Sequence, residues 1–131
     1  MENEKLIEMA MMARNNALAK ITGFRVGAAL LTKCGKTFLG CNIEDPSGVG
    51  VTTICAERCA IIKAISEGYT DYDKIVVVGG RDNLIPCMPC GVCRQFFVSF
   101  CPNVTILCSD SKMIDSYTLN DLLPHAFGEQ F

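Results

Sequence analysis

Residues 75–108 decide the fold, and they read IVVVGGRDNLIPCMPCGVCRQFFVSFCPNVTILC. The first four residues are apolar and β-branched without interruption, a pattern typical of a strand that is covered on both faces. A loop over 81–89 follows, then a predicted helix over about 90–100 that Pro102 closes, and then a second buried strand over 104–108. Strand, helix and strand in this order predict a parallel pair of strands in an α/β sheet.

The residues on either side of this segment predict an antiparallel hairpin and further helices. An apolar run over 26–31, a turn at Cys34-Gly35 and a second strand over 37–41 form the hairpin. Thr52 or Thr53 is expected to cap a helix that runs to 66–67 and stops at Gly68. A first helix is predicted over about 3–19 by apolar residues at helical spacing, namely Leu6, Met9, Ala10, Ala13 and Ala17.

A short last helix is predicted after Thr118, because Thr118 and Asp121 have the spacing of a capping box. Together these elements predict a three-layer α/β/α domain with a mixed, roughly five-stranded sheet. We expect one domain over 1–131, since the sequence contains no repeat or linker. The order of the strands in the sheet does not follow from the pattern.

Composition excludes several classes of protein. Half of the 131 residues are hydrophobic and 20% are charged, which excludes an intrinsically disordered chain. Twelve Lys and Arg against 14 Asp and Glu give a net charge of −2, which argues against a dedicated nucleic-acid binder. The single histidine, His125, excludes any metal site that needs two imidazoles and is expected to be a local or interface residue.

Nine cysteines are many for a chain of this length. The acidic N-terminus is not a secretory signal, and no apolar run approaches the ~18 residues of a membrane helix. We therefore expect a cytoplasmic protein without a membrane partner, whose cysteines bind metal or are buried rather than form disulfides. Five of them are expected to be small buried hydrophobic residues, namely Cys34, Cys41, Cys59, Cys101 and Cys108.

Three of the other four cysteines form a pattern that predicts zinc. Cys55-Ala56-Glu57 begins one predicted helix and Pro89-Cys90-Gly91-Val92-Cys93 begins another. Both segments follow loops that leave the carboxyl ends of strands, where open α/β sheets place their ligands. Catalytic zinc takes three protein ligands and leaves one position to water, and Cys55, Cys90 and Cys93 would supply the three.

Two neighbours complete this hypothesis. Glu57 is the candidate acid/base that moves protons between the attacking water and the substrate. Arg58 is expected to donate hydrogen bonds to thiolate sulfur and to offset its charge. Residues two apart in a regular helix point in directions ~200° apart, so Cys55 must lie at the leading edge of its helix if Glu57 is to face the metal.

Cys-x-Glu followed by Pro-Cys-x-x-Cys matches the zinc nucleobase-deaminase pattern. Over most of its length the chain resembles the small homotetrameric cytidine deaminases. The stretches that carry the resemblance are FRVGAAL at 24–30, GCNIE at 40–44, TICAER at 53–58, PCGVCRQ at 89–95 and LLPHAF at 122–127.

This resemblance implies a cytidine deaminase-like fold and the hydrolytic deamination of cytidine or deoxycytidine in pyrimidine salvage, with one zinc per subunit. It also implies a homotetramer with shared active sites and a free nucleoside, not nucleic acid, as the substrate. By the same resemblance Asn42 and Glu44 hold the ribose hydroxyls, Phe24 lies against the pyrimidine, the backbone N–H of Ala56 meets the base carbonyl, and Phe127 enters a neighbouring subunit's site.

The chain departs from the family pattern beside the sugar. The family usually continues Asn-Ala-Ser-Tyr-Gly after Glu44, whereas this chain has DPSGVG at 45–50, no tyrosine and a small insertion. Arg25 also replaces the proline that usually follows Phe24. The same chemistry on another aminopyrimidine nucleoside, such as a nucleoside antibiotic, is therefore an alternative.

Three further alternatives remain at this point. A polynucleotide-editing deaminase is disfavoured by the acidic charge balance and the short chain. A structural zinc module is possible if Cys87 acts as a fourth ligand. An iron–sulfur run over Cys87, Cys90, Cys93 and Cys101 has the wrong final spacing, with seven intervening residues instead of three.

Overall fold

A mixed five-stranded sheet lies at the centre of the computed structural model, which describes residues 1–110 and 112–128. The elements follow one another as α1 (Asn3–Arg14), β1 (Arg25–Thr32), β2 (Thr37–Cys41), a 3-10 turn (Gly50–Thr52), α2 (Ala56–Ser66), β3 (Tyr72–Gly80), α3 (Gly91–Phe100), β4 (Thr105–Ser109), β5 (Ile114–Tyr117) and α4 (Leu119–Leu122).

The strands lie in the order β2-β1-β3-β4-β5. β1 is antiparallel to both β2 and β3, β3 is parallel to β4, and β4 is antiparallel to β5. The predicted hairpin and the predicted parallel pair are therefore confirmed. β5 is a short edge strand whose position could not be predicted, since its four residues show no apolar alternation and are mostly exposed.

Helices cover both faces of the sheet, which confirms the three-layer prediction. On one face, Leu6 and Ala10 of α1 pack against Val76 and Val78 of β3. On the other face, Ile75 of β3 packs with residues of α2, α3 and α4, including Ile61 and Phe97. The run over 75–78 is continuously apolar because successive side chains enter two different cores.

The first helix is shorter than predicted, since α1 ends at Arg14 and not near residue 19. Two asparagines follow, and their backbone N–H groups close turns onto Met12 and Ala13. Asparagine competes for backbone hydrogen bonds in turns and so favours helix ends. The backbone N–H of Leu18 then bonds to the carbonyl of Asn42, which fixes this segment against the end of β2.

The second helix begins later than predicted. Its N-cap is Cys55, so the expected caps at Thr52 and Thr53 are wrong. Ile54 exchanges backbone hydrogen bonds with Ile43 at 2.9 and 3.0 Å, and this pairing keeps the chain extended up to Cys55. The helix ends at Ser66, before Gly68 in the left-handed conformation, close to the predicted end.

The remaining predictions for single residues have mixed outcomes. The capping box at Thr118 and Asp121 is present at the start of α4 and confirms that prediction. Cys101 and Cys108 are buried as expected. Cys34 is exposed in the hairpin turn, and Cys41 and Cys59 are partly exposed near the edge strand, so burial was the wrong expectation for these three.

Two glycines allow helices to approach the sheet closely. A Cβ at Gly27 would lie 2.0 Å from the carbonyl oxygen of Ala10, and a Cβ at Gly40 would lie 2.3 Å from that of Ala56. α1 and α2 therefore rest directly on the backbone of β1 and β2, on opposite faces. The contact at Gly40 falls on the first residue of α2, next to Cys55.

The strand ends that lead into the site lie together at one edge of the sheet. Gly27 of β1 pairs with Cys41 of β2, and Arg25 pairs with Gly80 of β3. The carboxyl ends of β2 and β3 therefore meet beside the start of β1, and the loops toward α2 and α3 leave from there. Within the described ranges, none of the helices combines the length and the apolarity that a membrane crossing demands.

Candidate metal and active site

Three cysteines meet at the edge of the sheet where β2 and β3 end. Cys55 is the N-cap of α2, Cys90 is the N-cap of α3, and Cys93 lies in the first turn of α3. Their Sγ atoms all lie within 4.8 Å of one another, and the Sγ atoms of Cys55 and Cys90 are 3.7 Å apart. Tetrahedral zinc with Zn–S bonds of ~2.3 Å places two sulfurs ~3.8 Å apart, so these residues fit the metal.

The thiol of Cys55 has a lowered pKa. The Cys93 thiol donates a hydrogen bond to the Cys55 sulfur, and Arg58 and Cys90 add to the effect, so that the pKa of Cys55 falls to about 5. The same hydrogen bond raises the pKa of Cys93, together with its burial. The two shifts have opposite signs because the thiolate on one residue is stabilised by the proton on the other. Two helix N-termini pointing at the cluster also favour negative charge there.

Arg58 lies beside this cluster in the first turn of α2. Its Nη2 donates to the carbonyl of Thr53 at 3.2 Å and to Cys55 Sγ at 3.6 Å. Its Nε atom is buried and has no hydrogen-bond partner within the described part of the chain. The guanidinium is thus placed where the sequence analysis expects it, with one donor still unused.

Glu57 is buried next to the three thiols, and only 4% of its surface is exposed. Burial, followed by the nearby charge of Cys55, raises the pKa of Glu57 to about 7. Cys55 precedes the helix as its N-cap and keeps extended backbone angles. This is the leading-edge position that lets Cys55 and Glu57 reach the same space despite their spacing.

A cavity of about 180 Å³ opens onto the site. Its walls include Phe24, Asn42, Glu44, Ala56 and Glu57, all of them predicted site residues, together with Cys55 and Cys90. A larger cavity of about 680 Å³ lies between α1 and β5, but its lining includes none of the clustered cysteines. The chemistry-bearing groups therefore converge on the smaller cavity.

Asn42 and Glu44 also organise the wall of this cavity. Asn42 Oδ1 accepts a hydrogen bond from the backbone N–H of Val26 at 2.8 Å, and its Nδ2 donates to the carbonyl of Phe24 at 2.8 Å. Glu44 Oε1 accepts from the backbone N–H groups of Ile21 and Thr22, both at 3.2 Å. These bonds join residues far apart in sequence, and no local pattern indicated them.

Phe127 lies outside the cavity, with 70% of its surface exposed. Its backbone carbonyl accepts a hydrogen bond from Gln95 Nε2 at 2.8 Å, which ties the C-terminal segment to α3. The structure thus brings Phe24, Asn42, Glu44, Ala56 and Glu57 together around the thiols. It does not bring Phe127 into the cavity of its own chain.

Cys87 does not belong to the metal cluster. Among the described residues, the group of sulfurs that can hold a metal contains Cys55, Cys90 and Cys93 and omits Cys87. Cys101 is the C-cap of α3, at the opposite end of that helix from Cys90. These positions support neither a four-cysteine structural zinc site nor an iron–sulfur run. Cys87 lines the cavity with Met88, and sequence analysis missed this role.

A cluster of thiols at two helix N-termini, beside a buried carboxylate on an α/β sheet, defines a zinc deaminase class of site. Residues 1–108 match the family model described as "Cytidine and deoxycytidylate deaminase zinc-binding region". The chain therefore belongs to the cytidine and deoxycytidylate deaminase family.

Curated relatives and solved structures agree with this membership. The chain is 43% identical over 129 residues to a cytidine deaminase of Halalkalibacterium halodurans, covering 97% of this chain and 95% of the relative. It is 42% identical over 130 residues to a probable cytidine deaminase of Dictyostelium discoideum, covering 98% and 86%. A crystal structure of cytidine deaminase from Burkholderia pseudomallei has a TM-score of 0.88 and 37% identity, covering 97% of this chain and 100% of that one.

A relative with a different named substrate also matches. The chain is 34% identical over 105 residues to a blasticidin-S deaminase of Bacillus cereus, covering 76% of this chain and 74% of the relative.

Proposed function

We propose that the protein is a zinc-dependent cytidine deaminase that converts cytidine or deoxycytidine and water to uridine or deoxyuridine and ammonia. One observation carries the proposal: three thiols have the spacing of a zinc site, and two of them, Cys55 and Cys90, line the same cavity as the buried Glu57. The full-length relatives described as cytidine deaminases support the choice of substrate.

Cys55, Cys90 and Cys93 would hold the metal. Bound zinc supplies a Lewis acid that activates a water molecule for attack on C4 of the cytosine ring. Arg58 donates to the Cys55 sulfur and so offsets part of the negative charge of three thiolates. Exclusion of bulk water from a buried site strengthens each of these interactions.

Glu57 moves the protons in this proposal. It takes the proton that the attacking water gives up and delivers it to N3 of the base. It then takes the proton of the new C4 hydroxyl and delivers it to the 4-amino group, which leaves as ammonia while C4 becomes a carbonyl carbon. The side chain is suited to this because it is buried against the cavity on the first turn of α2 and is shielded from solvent.

The remaining cavity residues would hold the nucleoside. Ala56 is the first residue of α2, where a backbone N–H has no partner inside the helix and is free to meet the base carbonyl. Both hydrogen bonds that Glu44 accepts fall on Oε1, which leaves Oε2 for a ribose hydroxyl. Asn42 would share the sugar contacts, and Phe24 would lie against the pyrimidine.

The assembly and location follow from the same proposal. We propose a cytoplasmic homotetramer in which Phe127 reaches a neighbouring subunit's site, built from one domain over 1–131. The exposed position of Phe127 supports this arrangement. So does a group of exposed apolar side chains on α2 and α3, namely Ile62, Ile65, Val92 and Phe100.

A second candidate substrate is a nucleoside antibiotic with the same aminopyrimidine ring. The likeness to a blasticidin-S deaminase favours it. The loop that distinguishes this chain is well ordered internally, since Asp45 accepts hydrogen bonds from Ser47 at 2.7 Å and from Thr52 at 2.6 Å. This loop adjoins Glu44 at the sugar side, where the two substrates differ.

The test is a spectrophotometric deamination assay on the zinc-loaded protein with cytidine and blasticidin S in parallel. The cytidine proposal expects turnover of cytidine to exceed that of blasticidin S, and the reverse order would favour the second candidate. Glu57→Gln should keep its zinc by elemental analysis and lose at least about 10²-fold in kcat. Glu67→Gln, an exposed change at the end of the same helix, is the matched control. Parental turnover in Glu57→Gln would overturn the mechanism.

A further inference from the structure

We propose that Cys87 is a positioning residue that holds the ring of Phe24 in place across the cavity wall and thereby sets the affinity for the pyrimidine. This inference rests on the proposed function, because that function supplies the ligand. It assigns the buried thiol a role in binding and not in metal ligation.

Cys87 is almost fully buried, with 8% of its surface exposed, although it belongs to the loop before α3. The backbone N–H of Ile85 donates to the carbonyl of Gly79 at 2.9 Å, and this bridge brings the loop back over the end of β3. Cys87 follows two residues later and lines the cavity together with Phe24 and Glu57.

Gly79 is the point where three side chains converge. An ideal Cβ at Gly79 would lie 2.7 Å from Cys87 Sγ, 3.0 Å from Phe24 Cε1 and 3.2 Å from Val26 Cγ2. Because Cys87 Sγ and Phe24 Cε1 lie this close to a single point, they are less than 6 Å from one another. Because Gly79 has no side chain, the Cys87 thiol and the Phe24 ring can both lie directly against its backbone.

The backbone of Phe24 is fixed by hydrogen bonds, but its ring is not. The backbone N–H donates to Thr22 Oγ1 at 3.0 Å, and the carbonyl accepts from Asn42 Nδ2 at 2.8 Å. Hydrogen bonds to the backbone leave the two side-chain torsions free, so packing must select the ring orientation. Cys87 Sγ and Val26 Cγ2 lie around the same point above Gly79 as Cε1 of the ring, so they are the side chains placed to supply that packing on the side nearest β3.

The first experiment compares Cys87→Ala with Cys87→Ser and with the control Cys101→Ala. Cys101 is also a buried thiol, and it lies at the far end of α3. We expect Cys87→Ala to raise the KM for cytidine and the Kd for uridine by roughly three- to tenfold with kcat changed less than about twofold. Cys87→Ser keeps the shape of the side chain and should restore KM and Kd, although a buried hydroxyl lowers Tm.

The control separates positioning from general stability. Cys101→Ala should lower Tm about as much as Cys87→Ala and leave KM and Kd unchanged, since both remove one buried sulfur. If Cys87→Ala binds uridine as the parent does, or if Cys101→Ala weakens binding equally, the proposal is overturned.

A second experiment changes Gly79 itself. Gly79→Ala adds a methyl group that must displace Cys87 Sγ or the Phe24 ring, and we expect a larger rise in Kd than in Cys87→Ala. The double variant Gly79→Ala/Cys87→Ala has space for the added methyl group where the sulfur was, so its Kd for uridine should lie below that of Gly79→Ala. A Kd for the double variant at or above that of Gly79→Ala would contradict the inference.

Failure of this inference is distinguishable from failure of the proposed function. If the parent, loaded with zinc, neither deaminates cytidine nor binds uridine, the proposed function fails. If the parent does both and the Cys87 variants follow it in KM and Kd, the proposed function stands and the positioning role falls.

Discussion

Gly40→Ala tests whether the close approach of α2 to the sheet seats the metal site. The added Cβ would lie 2.3 Å from the carbonyl oxygen of Ala56, 2.6 Å from the backbone nitrogen of Ala60 and 3.0 Å from Cys59 Cβ. The two closest atoms belong to the backbone, so no side-chain rotation relieves the clash. The helix itself must move.

The size of that movement follows from the contact distances. Lengthening the 2.3 Å contact to 3.0 Å, the shortest that real Cβ atoms show, requires α2 to withdraw by about 0.7 Å at its first turn. Overpacking of this kind costs about 1–3 kcal/mol. At this chain length that corresponds to a drop in Tm of roughly 4–12 °C.

The same movement displaces Cys55 and Glu57, which flank the contact at the start of α2. Cys90 and Cys93 stay with α3, so the three sulfurs lose their tetrahedral spacing. A misplacement of ~1 Å at a reacting centre lowers the rate by about 10²-fold, and we expect kcat/KM to fall by that order. Zinc affinity, measured by competition with a chromogenic chelator, should fall with it.

Gly27→Ala is the matched control. Its Cβ would lie 2.0 Å from the carbonyl oxygen of Ala10, so the substitution pushes α1 away from the sheet. α1 packs on the face of the sheet opposite to α2. It should lower Tm as Gly40→Ala does, while the zinc affinity is retained, because α1 carries no ligand. Parental zinc affinity in Gly40→Ala, or an equal loss of zinc in both variants, would refute the reasoning.

Three further predictions follow from single contacts. Arg58→Ala removes the donor to Cys55 Sγ and should lower zinc affinity by about 10- to 100-fold in the chelator competition, with Arg58→Lys intermediate. Glu44→Ala removes the acceptor for two backbone N–H groups and should raise the KM for cytidine while zinc content stays unchanged by elemental analysis. Thr118→Ala removes the hydroxyl that accepts from the backbone N–H of Asp121 at the start of α4 and should cost about 1 kcal/mol in chemical denaturation. The backbone N–H of Thr118, followed by its side chain, lowers the pKa of Asp121, so the stability that this carboxylate contributes is present above its unfolded pKa and is lost as pH falls through its lower folded pKa; an Asp121→Asn variant that loses as much stability at pH 2 as at pH 7 would contradict it.

The metal ligands could be predicted because each of the two segments that carry them has a local pattern. Cys90 and Cys93 are three apart, and a helix that begins at Gly91 places both at its N-terminus. The spacing of Cys87 and Cys90 is identical, but the sequence analysis chose Cys90 and Cys93 because they begin a predicted helix. The structure agrees, since Cys87 lies in the loop before α3 and its sulfur lies beside Gly79.

Other features depend on contacts between distant segments and could not be predicted. The hydrogen bonds from Asn42 to Phe24 and Val26 require β1 and the end of β2 to lie side by side in a particular register. Beyond the end of α1 at Arg14, the backbone N–H of Leu18 bonds to the carbonyl of Asn42 and not to the helix. The apolar periodicity predicted too long a helix because it indicates which residues are buried and not which backbone groups are hydrogen-bonded within the helix.

The position of the ligands at two separate helix starts links metal loading to folding. Cys55 and Cys90 are 35 residues apart, and their sulfurs approach only when α2 and α3 are both docked on the sheet. An unfolded chain has no such binding pocket, so each tenfold rise in free zinc above its dissociation constant adds about 1.4 kcal/mol to the free energy of unfolding. The melting temperature of this protein should therefore rise with the concentration of free zinc. A chelator should unfold the protein at temperatures at which the zinc-loaded form stays folded.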